Sequence, residues 1–197
     1  EFMYVWDRPT GEAARDAARA DSDLGALLEA GERGIDAEAV ARLRDEARHT
    51  AEHTRARTPA ELAEVMRRLG DVTTAEAAAA SADRATSMLD DLAARGVAAR
   101  VALGGEERWV LAEEASQWTS AAANPDAHED FWRERAGDFI ACNPGSSPES
   151  FALRYGLETG MAERAYGEME ARGEAVRAAG GWISSGMLEA ARRITLA

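Results

Sequence analysis

His49-Thr50-Ala51-Glu52-His53 spells H-x-x-E-H, the order in which inverted zinc peptidases set two imidazoles on one helical face around Zn²⁺ with a carboxylate as base. Asp130 is the acid that could be offered as a third ligand. Those peptidases are much larger proteins, and the residues around this motif are Arg and Glu, the composition of a solvated helix face. We therefore read the motif as surface and expect no metal site. Cys142 is the single cysteine; it has no disulfide partner and ends an apolar helical stripe, so it reads as a buried structural thiol. Trp109 and Trp182 each begin a returning strand. Aromatic side chains there pack on the helices beneath or stack bases of a single strand, and packing is the first reading. Phosphate contacts need cations. Those best placed are Arg95, Arg100 and Arg108, with Trp109, in one half, and Arg172 and Arg177 in the other.

The charge works against such contacts. Across 197 residues there are 36 acidic and 23 basic side chains, a net charge of −13, and every basic residue is Arg. A protein that coats phosphates relies on Lys and Arg excess, and no segment supplies one. Residues 1–55 carry 8 Arg against 13 acids, 56–120 carry 7 against 11, and 127–197 carry 8 against 11. At 46% hydrophobic the chain is too apolar for a disordered acidic tail. No window approaches the roughly 18 apolar residues of a membrane span, and no signal peptide is present. One cysteine and no export signal make the cytoplasm the expected location.

The elements that would position these residues are mainly helical, because apolar residues recur at three- and four-residue spacing. Asp36 caps a helix predicted to run to about Thr54. Thr58-Pro59 opens another that Gly70 stops, with Leu62, Val65, Met66 and Leu69 turned inward. Two short helices follow, from Thr74 and from about Ala85 to Arg95. Val97 to Leu103 then alternates, Gly104 to Glu107 turns, and Arg108 to Leu111 returns as a hairpin. Ahead of these, Tyr4-Val5-Trp6 reads as an extended arm and Asp16 to Ala30 as a helix.

Three helices and a hairpin make a winged helix, and the pattern occurs twice. Ala94-Arg95-Gly96-Val97-Ala98-Ala99-Arg100 returns as Ala171-Arg172-Gly173-Glu174-Ala175-Val176-Arg177, 77 residues on, with five of seven positions identical. Trp109-Val110 returns as Trp182-Ile183 after 73, so the second hairpin is four residues shorter. Phe131 to Cys142, a helix capped at Ser147 and ending at Tyr155-Gly156, and Glu158 to Arg172 are the second set of helices. A repeat near 75 residues predicts a mainly α fold with small β-hairpins, built as tandem winged-helix (helix-turn-helix) modules. The segments are 1–55, an N-terminal arm and helices; 56–120, winged helix 1; and 127–197, winged helix 2. Ser120 to Pro125 is the linker, flanked by Trp118 and Trp132 as inter-module glue, and Met187 to Leu196 is a closing helix.

Several segments, in order, carry a family resemblance. They are Tyr4-Val5-Trp6-Asp7-Arg8-Pro9-Thr10, Arg57-Thr58-Pro59-Ala60-Glu61-Leu62, Leu69-Gly70-Asp71-Val72-Thr73-Thr74-Ala75-Glu76, Gly105 to Ala115, Phe151 to Leu157 and Leu188 to Leu196. Together they resemble the Lhr (large helicase-related) family of ATP-dependent DNA helicases, in the stretch after its RecA motor modules. The resemblance implies a piece of a protein that translocates on single-stranded DNA and unwinds duplexes, with links to DNA repair. ATP and Mg²⁺ would belong to that parent, since neither a GxxxxGK[ST] loop nor an acidic Mg²⁺ box occurs in this sequence. No cofactor is expected here.

The third helix of each module weakens any base-reading role. Asp83 to Arg95 nets −1 and Glu158 to Arg172 nets −2, whereas base edges are read by Arg, Lys, Asn or Gln. The sequence thus predicts a non-catalytic fragment that scaffolds other domains of the same polypeptide, with weak, sequence-independent DNA contact through the wings. The alternative is an acidic tandem winged-helix adaptor of chromosome-segregation type that binds proteins.

Overall fold

In the computed structural model, which describes residues 35–178 and 180–195, the expected caps are in place. Asp36 accepts from the Glu38 N–H and opens α1 (Ala37–Ala47). Thr58 accepts from the Glu61 N–H, Pro59 occupies the first turn of α2 (Pro59–Leu69), and Gly70 closes it at φ +79°. Thr73 and Glu76 form a reciprocal capping box on α3 (Thr74–Ala79). After α4 (Ala85–Ala94), β2 (Ala98–Leu103) and β3 (Glu106–Leu111) pair antiparallel, and β1 (Asp71–Val72) adds to β3. Gly104 and Gly105, at φ +59° and +80°, make the two-residue turn.

The second module repeats this order. It comprises α6 (Glu129–Cys142), α7 (Pro148–Tyr155), α8 (Thr159–Ala171), β4 (Ala175–Ala178) and β5 (Gly181–Ser184), with α9 (Ser185–Thr195) closing the chain. Even the short first strand has a counterpart. Val72 lies opposite Trp109 in module one, and Ser146 bridges Trp182 in module two. The second hairpin is shorter because its strands have four residues in place of six.

Two expectations are corrected. The first helix ends at Ala47, seven residues before Thr54: His49 takes φ +58° and residues Glu52–Thr54 form a 3-10 turn. The expected linker is mostly helix, α5 (Ala115–Ala123), followed by a 3-10 turn over Pro125–His128. Trp118 and Ala121 on α5 are fully buried, and that burial fixes a helix where composition suggested a spacer. The arm at Tyr4 to Trp6 and the helix from Asp16 to Ala30 lie outside the described residues. Among the described residues no helix is long and apolar enough to cross a membrane.

The two modules are interleaved. Ala98, Trp109 and Leu111 face the core of module one with Leu62, Met66 and Leu89. Val101, Leu103 and Val110, from the same hairpin, enter the core of module two with Trp118, Trp132 and Tyr155. The base of the first wing is therefore buried on both faces, although its alternation suggested one, and Arg100, Ala102 and Glu107 toward its tip stay exposed. Trp118 and Trp132 meet edge to face at 6.1 Å, and Trp118 stacks on Tyr155 at 5.8 Å. Each fully buried aromatic of this size contributes on the order of 2 kcal/mol or more. Helix α1 precedes module one in sequence but packs on module two. Val40 and Leu43 join Ile183 and Ala191 in a third cluster, and the Arg44 guanidinium donates to the Pro144 carbonyl at 2.7 Å.

Candidate functional site

The repeat places the wing cations in matching surroundings. Arg100 on β2 lies directly opposite Trp109 on β3, and its Cζ sits 4.4 Å from the indole centroid. Arg177 on β4 lies opposite Trp182 on β5, with Cζ at 4.9 Å. At the ends of the third helices, Arg95 pairs with Asp91 and Arg172 with Glu168, each at 3.0 Å. On the wings, Arg100 pairs with Glu107 at 3.1 Å and Arg177 with Glu170 at 3.7 Å. These four arginines are exposed, yet each has a carboxylate partner against which a phosphate must compete.

Two of the DNA-contact candidates, Arg108 and Trp109, are buried. Arg108 is 5% exposed and its guanidinium is held by Asp71 at 3.0 Å and Glu106 at 2.6 Å. Trp109 is 4% exposed; its Nε1–H donates to Thr74 Oγ1 at 3.1 Å, so its ring faces are taken by the core and Arg100. Trp182, 5% exposed, packs edge to face on Tyr166. Neither tryptophan presents a free face for a base.

The surfaces of the third helices follow their composition. On α4 the exposed residues include Thr86, Ser87, Asp90 and Asp91, and on α8 Glu163, Arg164, Glu168 and Glu170. Helix surfaces of this net charge disfavour backbone phosphates.

Residues that sequence reasoning, Arg108 apart, did not single out form a buried polar constellation at the junction of the modules. The buried Asp71 carboxylate accepts from Arg108, from Arg154 Nη2 at 2.8 Å and from the Tyr155 hydroxyl at 2.5 Å. Glu76 accepts from Arg154 at 2.7 Å, from Arg48 at 2.7 Å and from the Thr73 N–H at 2.9 Å. Arg48 reaches on to Asn143 at 2.6 Å. Burial pushes the Glu76 carboxyl up, but the hydrogen bond and charge of Arg154, the Thr73 N–H and the Arg48 charge outweigh it and hold the group at about 2. Burial lifts the Tyr155 hydroxyl well above its ordinary range, and the neighbouring Asp71 charge adds to this. Both groups keep the protonation states that the network needs, carboxylate and phenol. The readable signal was slight: a Thr73-x-x-Glu76 capping box, and Asp71 directly after the helix-stopping Gly70.

The H-x-x-E-H motif does not form its helical face, because α1 ends before it and His49 is left-handed. Among the described residues no group of three or more His, Cys, Asp or Glu is placed to hold a metal ion. Cys142 donates to the Arg68 carbonyl, and burial pushes its thiol up to about 11, with the Asp138 charge in support.

With this geometry in view, the comparisons are specific. Residues 34–125 match the family model described as large helicase-related protein, winged-helix domain. That span holds α1, the whole first winged helix and α5. No curated protein matches the chain.

Proposed function

We infer that this chain, which belongs to the large helicase-related (Lhr) family through the winged-helix domain at residues 34–125, is a rigid two-module block on which other domains of an Lhr-type DNA helicase dock. The observation that carries this reading is the first hairpin, whose base is buried on both faces and pinned by the Asp71 network. A wing used this way cannot swing onto DNA, but it holds two modules in fixed relation. The acidic third helices and the carboxylate-paired wing arginines support a structural role and count against DNA contact through the wings. ATP and Mg²⁺ belong, on this reading, to the motor modules, and the block serves unwinding and repair indirectly.

The match is to a helicase-related family, so the segregation-adaptor reading has no support from it. Isothermal titration of the purified chain into the motor modules of the encoding protein tests docking. Saturable binding supports the reading. Tight, sequence-selective binding of the isolated chain to duplex DNA, with no affinity for the motor, overturns it.

A further inference from the structure

An open groove of about 370 Å³ runs between the 49–57 connection and α2, lined by His49, His53, Arg55, Arg57 and Arg68. Thirteen arginines among the described residues sit within 4.0 Å of a carboxylate. Six others among those same residues have no such partner, and three of the six, Arg55, Arg57 and Arg68, line this one groove. In a chain of net charge −13, three guanidinium groups with no carboxylate within 4.0 Å among the described residues make this groove a local cationic patch, even with Glu61 and Glu64 on its wall.

Some of the wall is preset. The Arg55 Nε–H donates to the Thr50 carbonyl at 2.9 Å, which fixes the side chain without consuming its terminal nitrogens. A carbonyl only accepts, so His49 Nδ1 carries the hydrogen that it shares with Thr54 O at 3.0 Å. Of the acids that also line the groove, Glu64 pairs with Arg67, whereas Glu61 accepts from the Arg57 backbone N–H at 2.7 Å and keeps its charge beside the cations. Arg57 precedes α2 and Arg68 lies in its last turn, so the cations span a helix of 11 residues, about 16 Å at 1.5 Å per residue. That length exceeds one phosphate group and suits successive phosphates of an extended strand.

We propose that this groove, and neither wing, holds backbone phosphates of single-stranded DNA. The inference rests on the reading of the chain as part of a DNA helicase, and it adds a contact that the wings do not provide.

The test is fluorescence anisotropy of a labelled oligo-dT with three proteins: the unaltered chain, the pair Arg57→Glu with Arg68→Glu, and the wing pair Arg100→Glu with Arg177→Glu. At about 50 mM salt the groove pair should weaken binding by at least about tenfold and lower the log–log salt slope by about 1.4, roughly 0.7 per lost phosphate contact. The wing pair should stay within about twofold. Arg57 and Arg68 side chains make no hydrogen bond among the described residues, so folding should survive; if thermal melting shows otherwise, Arg57→Gln with Arg68→Gln decides. Unchanged binding in the groove pair overturns the proposal, as does loss confined to the wing pair. Displacement of the oligonucleotide by inorganic phosphate beyond the effect of chloride at equal ionic strength overturns it in favour of a single-phosphate site. Absence of DNA binding by the unaltered chain also overturns it, yet leaves the docking reading intact if the motor titration succeeds.

Discussion

Arg154 on α7 donates to Asp71 on β1 at 2.8 Å across 83 residues of sequence, and it also holds Glu76. One guanidinium therefore bridges two module-one carboxylates from module two, with Arg108 and Arg48 supplying the further positive charge. Desolvating such a cluster is costly, and its charges offset one another only while all partners remain.

Arg154→Met should consequently cost on the order of 3–5 kcal/mol, because it strands buried carboxylate charge. Urea denaturation followed by tryptophan fluorescence measures this. Arg67→Met, which breaks an exposed pair with Glu64, is the contrast, with an expected cost below about 1 kcal/mol. Equal costs for the two would mean that the junction is energetically ordinary.

Acid should loosen the same junction. Glu76 is held at about 2 against an ordinary 4.5, so the unfolded chain binds its proton more readily than the folded one. Its contribution is complete above about 4.5 and is lost as pH falls toward about 2. Melting temperature should decline across that window. Glu76→Gln should start lower at neutral pH and fall less steeply, and a parallel decline in both proteins would remove Glu76 as the cause.

The turn of the first hairpin distinguishes packing from backbone strain. Gly104 and Gly105 are both left-handed, but a Cβ on Gly104 would lie 2.3 Å from the Arg154 carbonyl oxygen, whereas one on Gly105 meets nothing within 4 Å. Gly105→Ala should cost about 1–2 kcal/mol from its conformation alone. Gly104→Ala should cost at least about 2 kcal/mol more, since backbone must move. Chemical denaturation of the two variants side by side shows whether the wing tip is seated on α7.

Local chemistry made most elements readable. Thr58-Pro59, Gly70, Ser147-Pro148 and Gly156 are caps whose side chains or backbone freedom act within a few residues, and the 94–100 and 171–177 repeat exposed the double architecture. What escaped notice depends on distant partners. Asp71 and Arg154 are unexceptional within their own segments and become a pair only when β1 meets α7. Trp118 is legible as packing glue beside Trp132, but the helix that carries it is not, because its burial in the core of module two depends on distant partners. The end of α1 at Ala47 was likewise set by tertiary ties: Arg48 leaves the helix to bridge Glu76 and Asn143, so a periodic pattern continuing to Thr54 was overruled. The alternating wing concealed its second buried face because a hairpin in a lone module has just one core to meet.

The matched Arg–Trp pairs finally separate stability from recognition. Trp182 is 5% exposed and packs on Tyr166 at 5.5 Å, so Trp182→Ala should cost about 3–5 kcal/mol. Arg177 lies over that ring with 72% of its side chain exposed, and Arg177→Ala should cost less than about 1 kcal/mol. The same burial makes an optical prediction. If Trp109 and Trp182 belong to the core, saturating oligo-dT should leave their emission unquenched, because stacking requires an open ring face. Quenching abolished by Trp109→Phe or Trp182→Phe would instead place a base on the wing and return DNA contact to the hairpins.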